Sequence, residues 1–228
     1  MRIKFDMKIL LFFFICYISS QWQIYLWVML FIMLHEMMHL FVGKILGVKP
    51  IVLEIKPTGC SVSFEYRFED YNKKILKGNY SELKKIVIYI VGPLFNIFVA
   101  VIALLLRANY NIIYINIILA VFNLLFIYPL DGGRILKSII HILAGEKKAY
   151  SIILKVSNIV FILFLIASSF LILIIHNWGI VAAVVFVSYI KNKSTKEIKL
   201  KMRVMEIIKR TWQYNCQVFL KLLGPNYV

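Results

Sequence analysis

Acidic residues are scarce in this chain: 11 Asp and Glu stand against 27 Lys and Arg in 228 residues, a formal net charge of +16. Such an excess can mark a nucleic-acid binder, but here the basic residues fall between apolar runs rather than along one soluble face. The positive-inside rule of membrane loops accounts for them, and no nucleic-acid partner is expected. Cysteine is scarce as well. Cys16, Cys60 and Cys216 stand singly, without the pair spacing of a thiolate zinc site or a disulfide framework, so redox chemistry is not expected. What is abundant is apolar: 61% of residues are hydrophobic, 15% are aromatic, and mean hydropathy is +0.82. That composition belongs to a polytopic membrane protein.

The apolar runs predict an all-α membrane fold of about six spans, near residues 8–20, 22–42, 86–106, 112–128, 155–175 and 178–190. Arg2, Lys4 and Lys8 precede the first run. Tyr17 or Ile18 would sit three residues before any cut, a poor cleavage pattern, so this run reads as an uncleaved span in preference to a secretory signal peptide. The connection after the second span carries Lys44, Lys49, Lys56, Arg67, Lys73, Lys74, Lys77, Lys84 and Lys85 and is therefore cytoplasmic. Within it, β-branched residues around Pro57-Thr58-Gly59 give residues 51–66 two readings, a short membrane-associated β-hairpin or a plain polar loop. Lys137, Lys147 and Lys148 mark a second cytoplasmic loop, and His176-Asn177-Trp178-Gly179 an outside turn. Six spans put both termini in the cytoplasm. Residues 191–228 form a basic cytoplasmic tail in which Val204, Ile208, Trp212, Phe219 and Leu222 keep roughly helical spacing. The tail is either an amphipathic helix on anionic lipid or a basic segment without regular structure.

Three ionisable residues interrupt the second span. Such residues are costly in a membrane and call for a function. In Leu34-His35-Glu36-Met37-Met38-His39-Leu40, the two histidines are four apart. On a helix that spacing stacks their imidazoles about 6 Å apart along the axis, facing one spot. Two neutral imidazoles on one spot suit zinc. Glu36 is rotated about 100° from His35, beside the ion but off the line joining the two ligands, where a carboxylate can take a proton from water. The chemistry this points to is hydrolysis, most naturally of peptides.

A catalytic zinc needs a third protein ligand and an open position. The fourth run ends in Tyr128-Pro129-Leu130-Asp131-Gly132-Gly133-Arg134, where the helix is expected to break, with flexible backbone beside Asp131. The second span, running inward, and the fourth, also ending inside, bring His35, His39 and Asp131 to one depth near the cytoplasmic face. His141 and Glu146 lie beyond Arg134 in a loop, and His176 lies at the opposite face. A solvated turn carboxylate is the competing reading of Asp131. One zinc ion per chain is expected.

The chain resembles the site-2 protease family of intramembrane zinc metalloproteases in His35-Glu36-Met37-Met38-His39, in Gly92-Pro93-Leu94-Phe95-Asn96, and in Asn123 followed by Asp131-Gly132-Gly133-Arg134. The resemblance implies a protease domain over residues 1–190, with His35, His39 and Asp131 as zinc ligands and Glu36 as general base. It implies Asn123, and Asn96 beside it, as groups that position substrate or stabilise the oxyanion; interhelical hydrogen bonding is the alternative for both. It implies a membrane-spanning or membrane-associated protein substrate, membrane regulators, and a multi-pass location in a bacterial cell membrane. The pattern is most similar to the stage IV sporulation protein FB branch, which processes a membrane-associated sigma factor precursor. Phe126 stands where that branch commonly has a second proline, and residues 191–228 are too few for its CBS domain. No segment is long enough for a PDZ domain. Two other readings stay open on the residues alone: a metal-ion carrier or sensor, and a membrane zinc protease of another family with a glutamate as third ligand.

Overall fold

The computed structural model describes residues 2–5, 22–56, 59–65, 71–175 and 178–223; the expected first span, 8–20, and the Pro57-Thr58 turn lie outside them. Helix α1, Trp22–Ile45, is 24 residues of nearly unbroken apolar sequence. At 1.5 Å per residue it spans about 36 Å, enough for a hydrocarbon core of about 30 Å. Its buried positions are Phe31, His35, His39 and Gly43, a stripe of residues four apart, while Met33, Met37 and Phe41 face outward.

The stretch after α1 forms a sheet. Strands β2 (Lys49–Lys56) and β3 (Gly59–Glu65) pair antiparallel from Lys49↔Glu65 to Lys56↔Gly59, so the hairpin reading holds over the loop reading. An irregularity between Pro50 and Val52 falls where proline has no N–H for the ladder. The basic N-terminal flank contributes as well. Arg2–Phe5 forms β1, parallel to β2 from Arg2↔Val52 to Phe5↔Ile55, and the order is β1-β2-β3.

Helix α2, Tyr71–Leu105, is the element the others gather on: it packs against α1, against α3 (Tyr110–Leu124) and against α4 (Asp131–Ala144). Helix α3 opens with the Asn109 side chain accepting from the Asn111 N–H at 2.9 Å, an N-cap. It stops at Leu124, short of the expected 128. Proline 129 follows a cis peptide, and residues 125–130 leave the helix to meet α5 (Glu146–Ile175). There the Tyr128 N–H donates to Ser157 Oγ at 2.9 Å, and the Ser157 hydroxyl donates to the Phe126 carbonyl at 3.3 Å. One serine thus serves two backbone groups that the helix no longer pairs, as a water-poor interior requires.

The glycine pair corrects the expected flexible backbone. Asp131, Gly132 and Gly133 are the buried first turn of α4. A Cβ on Gly132 would stand 2.1 Å from the Leu124 carbonyl oxygen, and one on Gly133 2.6 Å from Tyr128 N. The pair exists for close approach to the end of α3, and residues 131–144 are helix where a loop was expected. Helix α6, Trp178–Leu223, likewise continues past the expected end of the last span at 190. Ile198 on it, 2% exposed, is buried with Tyr150 and Ile153 of α5, so this part of the tail is held by protein packing.

Among the described residues, three helical segments are long and apolar enough to cross a membrane, Gln23–Ile45, Asn79–Leu105 and Glu146–Leu173, and Tyr110–Leu124 is a shorter apolar helix. They leave large side chains such as Phe41, Phe98 and Leu163 about 60% exposed. Such surface is compatible with lipid rather than water.

Candidate metal centre

Three buried donors converge where α1, α2 and α4 meet. His35 Nε2 lies 3.0 Å from Asp131 Oδ2, His39 Nε2 lies 3.3 Å from the same oxygen, and the two Nε2 atoms are 3.1 Å apart. A tetrahedral ion with bonds of about 2.0–2.1 Å holds adjacent ligand atoms about 3.3 Å apart. The triangle therefore has nearly the edge length that a zinc ion requires. Its composition, two imidazoles and one carboxylate, could hold a metal ion with a fourth position left for water or another ligand.

The sequence dictates this convergence in three steps. The i, i+4 spacing turns both histidines to one face of α1, with ring centroids 4.7 Å apart at 90°. The proline-terminated end of α3 and the close-packed glycines of α4 bring Asp131 to that face. Helix α2 then closes the site from behind with positions four apart, Ile88, Gly92 and Asn96. The His39 Nδ1–H donates to the Ile88 carbonyl at 2.6 Å, which leaves the Nε2 lone pair facing the triangle. Gly92 gives the rings their room: a Cβ there would stand 2.5 Å from His39 Cε1 and 2.6 Å from His35 Nε2. Asn96, fully buried, puts its amide nitrogen 3.1 Å from His35 Nδ1.

Glu36 is half-buried on the adjoining side of α1, with His39, Asp131, His35 and Arg134 as its charged neighbours. The Arg134 guanidinium lies over the Tyr89 ring at 5.3 Å, and that ring meets His39 edge-on at 6.5 Å between centroids. Asn123 sits in the last turn of α3, half-buried, at the start of the unwound segment and outside the donor triangle.

Other polar residues are buried away from the triangle. His141 projects from α4 to Glu82 of α2, with Nδ1 3.3 Å from Oε1, and Lys85 pairs with the same carboxylate. Asn116 of α3 is fully buried, donating to the Ile112 carbonyl at 2.9 Å. Neither the Glu82–His141 contact nor the Ile88 carbonyl carries a sequence signal, because backbone acceptors and contacts between distant helices leave no local motif. Among the described residues, His35, His39 and Asp131 form the group able to hold a metal ion.

Residues 105–168 match the model of the family described as Peptidase family M50. That segment holds Asn123 and Asp131 but not His35 or His39. The fold is similar to the solved structure of a site-2 protease from Methanocaldococcus jannaschii, with a TM-score of 0.59 and 21% identity over 85% of this chain and 90% of that one. No curated protein matches the chain.

Proposed function

We propose that this protein is a zinc-dependent intramembrane endopeptidase that hydrolyses a peptide bond in a membrane-spanning or membrane-associated protein near the cytoplasmic face. The observation that carries the reading is the buried triangle of His35, His39 and Asp131, with edges of 3.0–3.3 Å, beside the carboxylate of Glu36. The match of residues 105–168 to Peptidase family M50 and the site-2 protease fold support it.

His35 and His39 would hold zinc through Nε2 and Asp131 through its carboxylate. When bound, the ion supplies a Lewis acid that polarises the scissile carbonyl and eases deprotonation of water. Glu36 takes the proton of the attacking water and returns it to the leaving amine, a general base turned general acid. Asn123, beside the unwound segment of residues 125–130, positions the substrate or donates to the oxyanion.

A peptide bond in a transmembrane helix is shielded, and its carbonyl is hydrogen-bonded, so the substrate must unwind locally. The freed backbone groups need partners. With β1 on one side of β2, strand β3 offers an edge of the sheet where an unwound segment can add as a strand. Both termini lie in the cytoplasm of a bacterial cell in this reading, basic residues of the tail meet anionic lipid, and membrane regulators control access. The sporulation branch resemblance makes a sigma factor precursor one substrate to try.

The test is zinc per chain in detergent-purified protein, wild type beside Asp131→Asn. About one zinc in the wild type, lost in the variant, supports the site; zinc unchanged in the variant would assign the third ligand elsewhere. Zinc bound by wild type that cleaves no membrane peptide would favour the ion carrier or sensor instead.

A further inference from the structure

Asn96 has an unresolved hydrogen-bond account, and settling it assigns the residue a role. It is 0% exposed, its Nδ2 faces His35 Nδ1 at 3.1 Å, and its Oδ1 has no partner among the described residues. An N–H donated to Nδ1 would use the lone pair there and put the imidazole proton on Nε2, the atom that points at the triangle. A protonated Nε2 cannot ligate. A half-turn of the amide exchanges two groups of nearly equal size, gives the orphan oxygen a donor, and turns the pair into Nδ1–H donating to Oδ1. This is the arrangement His39 already has with the Ile88 carbonyl.

Resting on the zinc reading above, we infer that Asn96 is a positioning residue: its amide oxygen accepts from His35 Nδ1–H and so fixes the tautomer and ring orientation that free Nε2 for the metal. The helix geometry supports this independently of the amide's orientation. Ile88, Gly92 and Asn96 are four apart on one face of α2, so one stripe orients one imidazole, makes room for both, and orients the other. Ligating histidines as a rule donate their other ring N–H to such an acceptor. Under this inference Asn96 acts through His35 and does not touch the reacting carbonyl, so its loss is felt in metal affinity first.

The experiment is zinc affinity by chelator competition in the full-length detergent-solubilised protein, with the visible spectrum of the cobalt-substituted form as a second readout. Asn96→Leu, which keeps volume and removes the acceptor, and Asn96→Ala, a smaller change should leucine disturb packing, should weaken zinc by about 10- to 100-fold and alter the cobalt bands. Asn96→Asp restores an acceptor for Nδ1–H and should bring both readouts back near wild type. Unchanged zinc affinity in the truncated variants, or weakened affinity that aspartate does not restore, overturns the positioning role. Unchanged affinity with turnover lowered by about 10²- to 10³-fold assigns Asn96 to the oxyanion instead. Wild-type protein that binds no zinc fails at the earlier step and removes the endopeptidase reading along with this one.

Discussion

At the scale of single residues, the two histidines of the motif are alike in sequence and unlike in setting. His39 is oriented by a backbone carbonyl, which no substitution at Ile88 removes, whereas His35 depends on a side chain. Glu36 differs from both in lying outside the triangle and half-buried. Glu36→Gln should therefore bind zinc like the wild type while cleavage falls by at least about 10²-fold, the contribution of a general base. Zinc content and cleavage of a membrane-embedded peptide, measured on the same preparation, check this. Loss of zinc in that variant would make Glu36 a ligand and exclude it as the base.

At the scale of elements, the packing of α2 on α1 and of α4 on α3 depends on glycines with no room for a side chain. In Gly92→Ala, the added methyl collides with both imidazoles, which are side chains and can swing aside, but only by leaving the donor triangle. The variant should lose zinc while its helical circular dichroism stays near wild type. In Gly132→Ala the clash is with the Leu124 carbonyl, which cannot rotate away, so α4 must shift and carry Asp131 with it. A lower thermal midpoint together with lost zinc is expected, against lost zinc with little change in midpoint for Gly92→Ala. The sheet gives a separate prediction. The N–H groups of β3 alternate between β2 and the free edge, so prolines at the alternate positions whose N–H faces the free edge between Gly59 and Glu65 should slow cleavage and leave zinc bound. Unchanged turnover across the strand would remove β3 from substrate binding.

At the scale of the whole molecule, the triangle draws on two helices, α1 and α4, that contact each other little and are joined through α2. A second buried cluster reinforces that junction. Glu82 of α2, 2% exposed, holds Lys85 on its own helix and His141 on α4, so α2 and α4 are tied at the Glu82 level as well as beside the histidines. Removing Glu82 takes away the one carboxylate that joins the part-buried Lys85 and His141 across the two helices. Glu82→Ala should lower the unfolding midpoint in detergent and weaken zinc without touching a ligand; an unchanged midpoint would show that the cluster carries no stability.

Much of this was legible in the sequence. The apolar runs are read from the sequence alone, because a membrane constrains every residue of a span. The His35-Glu36-Met37-Met38-His39 spacing holds its geometry wherever the helix goes, since the period of an α-helix is local. Around Pro57-Thr58-Gly59 the sequence left a hairpin and a plain loop as alternatives, and the pairing of β2 with β3 decided between them. The tertiary structure decided what depends on distant partners. It turned the Gly132-Gly133 pair from expected flexible backbone into the buried first turn of a helix, because Leu124 leaves no room for a Cβ at Gly132 and Ile127 and Tyr128 leave none at Gly133. It enlisted Arg2–Phe5 as a strand, which requires β2 as a neighbour, and it carried α6 past its apolar run by burying Ile198 on α5. Above all it gave Ile88, Gly92 and Asn96 their common purpose. Motif spacing along one helix brings two ligands together, but the groups that orient them come from another helix, and only packing brings the two helices together.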